Sequence, residues 1–499
     1  MSQEIELKLA LSPDALPALR AHPLIATAPR AEETANLINT YFDTPALELR
    51  RAKIALRLRK IGQRWLQTVK CAAPSVGGLA SRPEWEQPYD GRFNFTPVSD
   101  RAVQDQLEAM RPRLAPVFTT NFERETRVLH PRPGVEVLAM IDHGLIESQG
   151  RQAPISELEL ELVSGEASDL YALALEFAKE LPLIPEDISK AQRGYALFSP
   201  MPAKPERARA VALTPETDAI AAFRAIAFEQ LRAWQANTAS LESAAEPEFV
   251  HQARVALRRL RSAVSLFAPA LPPEFCARWR PALRDLANSL GGARDADVVF
   301  HTLLEPICTA GPIGEDLQRL VALLEARRQA ARAPLADGAL LVSQGRAQLE
   351  LAAAIHGLQG SSDLALPELA RDRLRRTRRL ANRAAREAAQ GSADELHRLR
   401  ILFKRLRYGL DFFAPLWPED DVRRYAQTLA TLQEDLGALN DAAVGNQLLA
   451  ELAGSDPGLA AARAFASGWH APRIARLRQQ LPEKACELLE RRPPWKKKD

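Results

Sequence analysis

The sequence predicts an α+β protein of two unlike parts, an N-terminal antiparallel barrel of strands with flanking helices and a C-terminal all-α region made of two duplicated helical bundles. Three observations carry this prediction. Charged and apolar residues alternate in Glu4-Ile5-Glu6-Leu7-Lys8-Leu9 and again in Glu157-Leu158-Glu159-Leu160-Glu161-Leu162, the period of a strand with one polar and one apolar face. Beyond about residue 215, Ala, Leu and Arg recur at helical spacing. That helical stretch also repeats itself: a shift of 146 lays His251 on His397, Arg254 on Arg400 and Phe267-Ala268-Pro269 on Phe413-Ala414-Pro415 without a gap.

In chain order, the first strand puts Glu4, Glu6 and Lys8 on one face and Ile5, Leu7 and Leu9 on the other, and the strand near 160 repeats the pattern with Glu157, Glu159 and Glu161. Facing open water, such a charged face is an ordinary solvated edge. Enclosed in a sheet, five carboxylates and one ammonium repel one another unless a divalent cation and an anionic ligand neutralise them. Between these strands, Ile54 to Arg59 sets Arg57 and Arg59 opposite Ile54, Leu56 and Leu58; Lys70 ends the run from Leu66; Glu84 and Glu86 flank Trp85. With Arg124, Asp142, Lys190 and Arg193 added, a closed barrel would have a polar lumen, basic toward phosphoryl oxygens and acidic toward metal. Taken singly, each of these residues reads as a solvated surface position. Their joint recurrence on single strand faces favours a site.

Ser199-Pro200-Met201-Pro202-Ala203-Lys204-Pro205 carries three prolines, which exclude helix and favour an extended spacer. The expected organisation is a strand domain over 1–200, a spacer over 201–214 and a helical domain over 215–492, with pseudo-repeats of about 215–355 and 365–492 parted by the turn from Gly357 to Pro367. The tail 493–499 is expected to fray. A length of 499 residues allows such a plan, at about 150 per domain.

Hydrophobic content of 46% with 26% charged residues is ordinary for a soluble protein, and no apolar run approaches the roughly 20 residues that span a bilayer. The first residues lack a signal-peptide profile. Cys71, Cys276, Cys308 and Cys486 form no CxxC, so neither a disulfide framework nor a zinc site is expected, and a reducing cytoplasm is. Net charge of +3 divides unevenly: residues 1–199 hold 23 Lys and Arg against 27 Asp and Glu, the remainder 43 against 36. The two parts face different electrostatic tasks.

The ordered set Glu4, Glu6 and Lys8 (ExExK), Tyr41-Phe42-Asp43-Thr44, Leu56-Arg57-Leu58-Arg59, Lys70, Glu84 with Glu86, Asp142, the ELELEL strand and Lys190-Ala191-Gln192-Arg193-Gly194-Tyr195 resembles a CYTH domain of the triphosphate tunnel metalloenzymes. ExExK alone is a weak motif; in this order, across residues 1–200, it is a specific one. The resemblance implies an eight-stranded antiparallel tunnel that transforms a linear triphosphate with Mg²⁺ or Mn²⁺. It would make Glu4, Glu6, Glu159 and Glu161 the chief metal ligands, with Glu157 assisting, and Lys8, Arg57, Arg59, Lys70, Arg124, Lys190 and Arg193 the grip on the phosphates. Glu4, Glu6, Lys8 and Lys70 would be the catalytic set. Arg124 and Arg127 lie on opposite faces of one segment, and either is a candidate for the lumen.

In the helical part His251, Arg254, Arg258 and Arg261 form one stripe, leaving Leu257, Leu260, Val264 and Phe267 for the core, and His397, Arg400, Lys404 and Arg407 reproduce it. A solvated, salt-bridged helix face is the ordinary alternative. Two copies of the stripe make a surface suited to a polyanion. The pattern resembles a CHAD domain over about 215–492, which implies binding of inorganic polyphosphate. The second copy has Asn440 where the first has Arg294, so the faces need not be equal. Eight arginines between Arg371 and Arg386 either extend the patch or form a basic surface helix. Stacking aromatics are scarce near the stripes, so nucleic acid is not the expected partner.

The whole resembles bacterial CYTH–CHAD inorganic triphosphatases. The expected activity is metal-dependent hydrolysis of inorganic triphosphate in the tunnel, with a polyphosphate-binding helical module and no membrane partner. Thiamine triphosphatase, RNA 5′-triphosphatase, a class IV-type adenylate cyclase and a non-catalytic polyphosphate adaptor are the alternatives, because each ligand presents a triphosphate or longer chain. Intact ExExK and ELELEL motifs stand against the last.

Overall fold

The computed structural model describes residues 2–71, 75–241, 246–335, 338–358, 360, 364–389 and 393–496, and divides into two units, residues 1–204 with 341–357, and residues 205–340 with 358–499. Among the described residues no helix is long and apolar enough to cross a membrane.

The first unit is a curled antiparallel sheet of ten strands: β1 (Ser2–Ala10), β2 (Ala35–Asp43), β3 (Ile54–Ile61), β4 (Arg64–Cys71), β5 (Ser75–Val76), β6 (Leu79–Pro88), β7 (Ala115–Leu129), β8 (Glu136–Ser148), β9 (Arg151–Ser164) and β10 (Ile184–Pro185). Their order is β10-β1-β9-β8-β7-β2-β3-β4-β6-β5, and an additional pairing of β1 with β6 closes eight of them into a ring. Closure leaves the long strands no free edge. Register is fixed by the alternation: Glu6 lies opposite Glu161 and Lys8 opposite Glu159, so a slip of one residue would turn every carboxylate to the apolar face. That apolar face is the core, with Leu7, Leu9, Leu158 and Leu160 each 0% exposed.

The first expectation to fail concerns domain bounds. The helix Gly338–His356 stands in sequence inside the first pseudo-repeat, yet residues 341–357 pack in the first unit. Gly345 lets its backbone approach β10, since a Cβ there would lie 3.0 Å from the Ile184 side chain, and the His356 ring meets Tyr171 edge-on at 5.6 Å. Gly345 and these two ring partners carry no signal in the helical periodicity.

The second unit holds the duplication in three dimensions. The helices Pro247–Leu266 and Ala393–Phe413 are its equivalent stripe-bearing elements, with Leu257, Leu260, Val264 and Phe267 all buried. Their C-terminal ends meet through Phe267 and Phe413, ring centroids 5.3 Å apart. The copies differ where the next helix runs: the second copy has one helix, Glu419–Ala453, whereas the first breaks into Pro273–Ser289 and Gly291–Val299. At that break the buried Arg254 donates from Nη1 to the Ala287 carbonyl, satisfying a helix end. A Cβ at Gly291 would lie 3.1 Å from the same guanidinium.

The spacer after residue 205 is clasped onto the helix Ala219–Thr238: Asn237 donates to the Glu206 carbonyl at 2.8 Å and accepts from the Glu206 amide at 3.0 Å. The tail does not fray where expected. Trp495 is 1% exposed, its ring 5.4 Å from Tyr425 and 6.2 Å from Trp417, because one buried indole outweighs the flexibility of a polar terminus. Residues 497–499 lie outside the described set.

Candidate active site

The charged strand faces turn inward. Glu6 and Lys8 are each 4% exposed and Glu157 is 1%, which rules out the solvated-edge alternative for them. Ion pairs also skip strands: Lys70 on β4 reaches Glu4 on β1 at 2.9 Å, and Arg124 on β7 reaches Glu159 on β9 at 2.6 Å. Only a concave face brings such residues together.

Two charge clusters line it. In the first, Lys190 meets Asp142 at 2.7 Å, Glu159 at 2.9 Å and also Glu157, while Arg124 makes a double contact with Asp142 at 2.7 and 2.6 Å. Arg193 stands 3.8 Å from Glu157. Arg127 instead pairs with Glu125 and the Ala28 carbonyl on the other face of β7, so Arg124 is the lumen residue. Oxygens of Asp142, Glu157 and Glu159 all lie within 4.8 Å of one another. Burial disfavours the charged form of Glu159, yet Lys190 and Arg124 outweigh it and hold the carboxyl well below the usual range. Lys190 is likewise opposed by burial and held well above the lysine range by Asp142, Glu157 and Glu159.

Lys190 is placed by the helix Lys190–Phe198. Ser189 caps it, accepting from the Gln192 amide at 3.2 Å while Gln192 accepts from the Ser189 amide at 2.8 Å. Gly194 lies where any side chain would run into the Phe118 ring. Tyr195 donates to Asp43 at 2.9 Å, and Asp43 also accepts from the amides of Thr44, Leu49 and Arg50. Asp43 and Tyr195 lie within the motifs that carry the CYTH resemblance, but their mutual contact leaves no trace in strand alternation.

In the second cluster Lys70 sits between Glu4 at 2.9 Å and Glu84 at 2.8 Å, and Arg57 and Arg59 stand 3.6 to 3.9 Å from Glu84 and Glu86. Burial opposes the charge on Glu84, but Lys70 and Arg57 bring its carboxyl below the ordinary value. The buried Nε of Arg57 has no hydrogen-bond partner among the described residues. Burial, with Arg57 and Arg124 adding repulsion, pulls Arg59 down to about 10. Glu161 goes the other way, raised by burial and by Glu4. Lys8 donates to the Ile188 carbonyl at 2.6 Å. Asn39, hydrogen-bonded to Arg59 at 3.0 Å and Thr120 at 2.9 Å, and Glu186, raised by burial, also belong here and were not expected.

The five expected metal-ligating glutamates therefore fall into different settings. Glu157 and Glu159 face two cations already, whereas Glu161 and Glu4 repel each other. An all-carboxylate donor set suits a hard divalent cation, and the raised carboxyl of Glu161 is the place where one would relieve most repulsion.

In the second unit the stripes face each other. Arg259 bonds Asp411 at 2.8 Å and lies over the rings of Tyr408 and Phe412, at 5.2 and 4.9 Å. Burial and surrounding cations push His251 down to about 4, Arg254 to about 10 and Lys404 to about 7, and lower Arg261 and Arg400. Arg407 bonds Gln433 at 3.3 Å; His397 is exposed and meets Asn440 at 3.1 Å, the residue that replaces Arg294 in this copy. In the arginine-rich helix Leu366–Ala388, Arg373 and Arg378 donate to carbonyls at other helix ends, a structural use that arginine counting does not reveal.

Residues 2–195 match the family model described as the CYTH domain, and residues 225–450 that of the CHAD domain. An inorganic triphosphatase of Haemophilus influenzae is 34% identical over 204 residues, 40% of this chain but only 56% of the relative's length. An uncharacterised protein of Mycobacterium tuberculosis is 26% identical over 462 residues, covering 86% of this chain and 85% of that one. The crystal structure of the CHAD domain from the plant Ricinus communis shares 32% identity, covers 58% of this chain and 98% of its own, and aligns with a TM-score of 0.49.

Proposed function

We propose, for a chain that carries a CYTH domain followed by a CHAD domain, that the strand ring hydrolyses inorganic triphosphate to diphosphate and phosphate, and that the facing helical stripes bind inorganic polyphosphate. The observation that carries the first part is the wall of Arg57 and Arg59, where the buried Arg57 Nε has no hydrogen-bond partner among the described residues, set beside carboxylates that repel each other at Glu4 and Glu161. Such a wall calls for phosphoryl oxygens, and such carboxylates for a cation.

Glu4, Glu6 and Glu161 would hold Mg²⁺ or Mn²⁺, with Glu159 and Glu157 on the same strand face. A bound divalent cation supplies charge neutralisation on the phosphoryl oxygens. Arg57, Arg59 and Arg124 offer forked donors to non-bridging oxygens, while Lys8, Lys70, Lys190 and Arg193 add positive charge along the chain. Because Lys70, Arg124 and Lys190 are fixed by their carboxylate partners before the ligand arrives, little reorganisation of these cations accompanies binding. Burial of the lumen keeps bulk water from screening the contacts.

For the second part, the supporting observation is the lowered proton affinity of His251, Arg254, Lys404 and Arg400, where burial and neighbouring cations outweigh the opposing fields of Glu248, Asp295 and Asp441. Nucleic acid would need stacking platforms, and Tyr408 is buried beneath Arg259. Phosphate release from tripolyphosphate, thiamine triphosphate, ATP and long-chain polyphosphate, each with Mg²⁺ and Mn²⁺, tests the reading. Tripolyphosphate should be turned over fastest; preference for a nucleotide or thiamine ester would overturn the substrate assignment.

A further inference from the structure

Arg57 and Arg59 stand on one face of β3, yet they are held differently. Arg59 lies directly opposite Asn39 on β2, and Asn39 lies directly opposite Thr120 on β7, so the three side chains share one level of the ring across three adjacent strands. Hydrogen bonds join them: Arg59 Nε donates to Asn39 Oδ1 at 3.0 Å, and Asn39 Nδ2 donates to Thr120 Oγ1 at 2.9 Å. Asn39 and Thr120 are each 0% exposed. An arginine Nε can only donate, so the amide has one orientation here, and the Thr120 hydroxyl holds its other end. Arg57 has no such tether: its buried Nε has no hydrogen-bond partner among the described residues, and Glu84 and Glu86 stand 3.6 and 3.9 Å from its Nη2.

We infer that Asn39, braced by Thr120, is a positioning residue that aims the Arg59 guanidinium at a phosphoryl group of the triphosphate; the inference rests on the reading of the ring as a triphosphate site. With Nε committed to Asn39, Nη1 and Nη2 are the pair left for non-bridging oxygens, and Nη1, 3.7 Å from Glu86, is beyond hydrogen-bond reach of that carboxylate. The amide itself is the telling feature. A carboxylate at position 39 would aim the guanidinium equally well but would neutralise the charge that the ligand needs, whereas an amide carbonyl fixes direction and leaves the cation uncancelled. Burial, then Arg57 and Arg124, outweigh the field of Glu86 at Arg59, so an incoming phosphate supplies the missing anion.

The test is steady-state hydrolysis of tripolyphosphate by the full chain, with denaturant unfolding measured beside it. Asn39→Asp keeps the size and the acceptor, and the Thr120 hydroxyl can turn to donate to it. A purely structural role for Asn39 predicts no loss in that variant, since an arginine–carboxylate pair is the stronger contact. A positioning role predicts a KM about tenfold higher with the unfolding midpoint held. Asn39→Leu, which removes the acceptor, should also raise KM about tenfold, but by less than about twofold once Arg59→Met has removed the guanidinium. An Asn39→Asp KM equal to that of wild type, or an Asn39→Leu effect of the same size with and without Arg59, would overturn the positioning role and leave the substrate reading intact. No turnover by the wild type, or no change in KM on Arg59→Met, would instead overturn the triphosphate reading on which the inference rests.

Discussion

The strand ring and the helical seam both concentrate charge out of water, and they do so in opposite ways. In the ring carboxylates hold the central cations of both clusters: Lys190 has three, Arg124 has two and Lys70 has two. The proton affinities of Lys190 and Glu159 are displaced so that both stay ionised. In the seam like charges are packed together, and His251, Arg254 and Lys404 are displaced toward the neutral form. The ring is thus preorganised as a charged surface before any ligand arrives, whereas the seam holds an electrostatic deficit that an anion would fill. Burial alone does not distinguish them. The sign of the neighbours does.

Removing the most heavily paired cation should have the largest effect. Lys190→Met leaves Asp142, Glu157 and Glu159 buried with Arg124 as their main counter-charge, and losing one partner of a buried pair costs about 3–5 kcal/mol. Denaturant unfolding should show a loss of that size. Removing an equally buried seam cation, Arg254→Met, should cost far less, because the repulsion it relieves offsets the packing it removes. Equal losses would mean that the two regions do not differ as described.

Next in size is the effect on turnover. Glu4→Gln or Glu6→Gln keeps side-chain volume and removes an anionic ligand; a loss of about 3 kcal/mol in transition-state stabilisation lowers the rate more than about a hundredfold. Steady-state phosphate release at saturating Mg²⁺ or Mn²⁺ measures this. Unchanged turnover would remove both residues from the metal set.

Much of this contrast was legible in the residues themselves. Alternation in β1 and β9 set the charged residues opposite Leu7, Leu9, Leu158 and Leu160, but by itself it fitted a solvated edge as well as an enclosed face. Duplication announced the seam, because the same stripe appears at His251 and His397. Pairing was not legible: whether Lys190 meets Asp142 or Glu161 depends on strand order and on the close seat of Gly194 against Phe118, which no periodicity encodes. The helix Gly338–His356 was misplaced for a similar reason, since its helical pattern says that it has a buried face but not which unit covers it. Trp495 shows the same limit at the chain's end.

A smaller effect separates the regions by salt. Arg254→Ala with Arg400→Ala should flatten the log-log salt dependence of polyphosphate binding by about 0.7 for each phosphate that is no longer neutralised, the value for a single-stranded polyanion. Tripolyphosphate hydrolysis should barely move, since neither residue touches the ring's charge clusters. Binding titrations at several salt concentrations decide this. Identical slopes would return both arginines to the role of packed surface residues.

The smallest effect is proton linkage at Lys404, and its sign distinguishes the seam from the ring. In the free protein the amine sits near 7 instead of 10.5, because burial, Arg400, Arg258 and Arg254 outweigh the single opposing field of Asp441. Between those values the unfolded chain holds more protons than the folded one, so this group adds stability as pH rises from 7 toward 10.5. Polyphosphate reverses the preference by favouring the charged amine, so binding takes up a proton above about 7 and affinity should strengthen as pH falls toward that value, then level off until His251 titrates near 4. One such group gives at most about a tenfold change per pH unit. Lys404→Arg keeps its charge throughout and should flatten the profile while retaining tight binding. In the ring Glu159 behaves oppositely: Lys190 and Arg124 overcome burial to hold its carboxyl low, so its contribution is complete at neutral pH and is lost only as pH falls through that lowered value. A polyphosphate-affinity profile that is flat between pH 7 and 9 in the wild type would show that the seam takes up no proton there and that Lys404 is already paired.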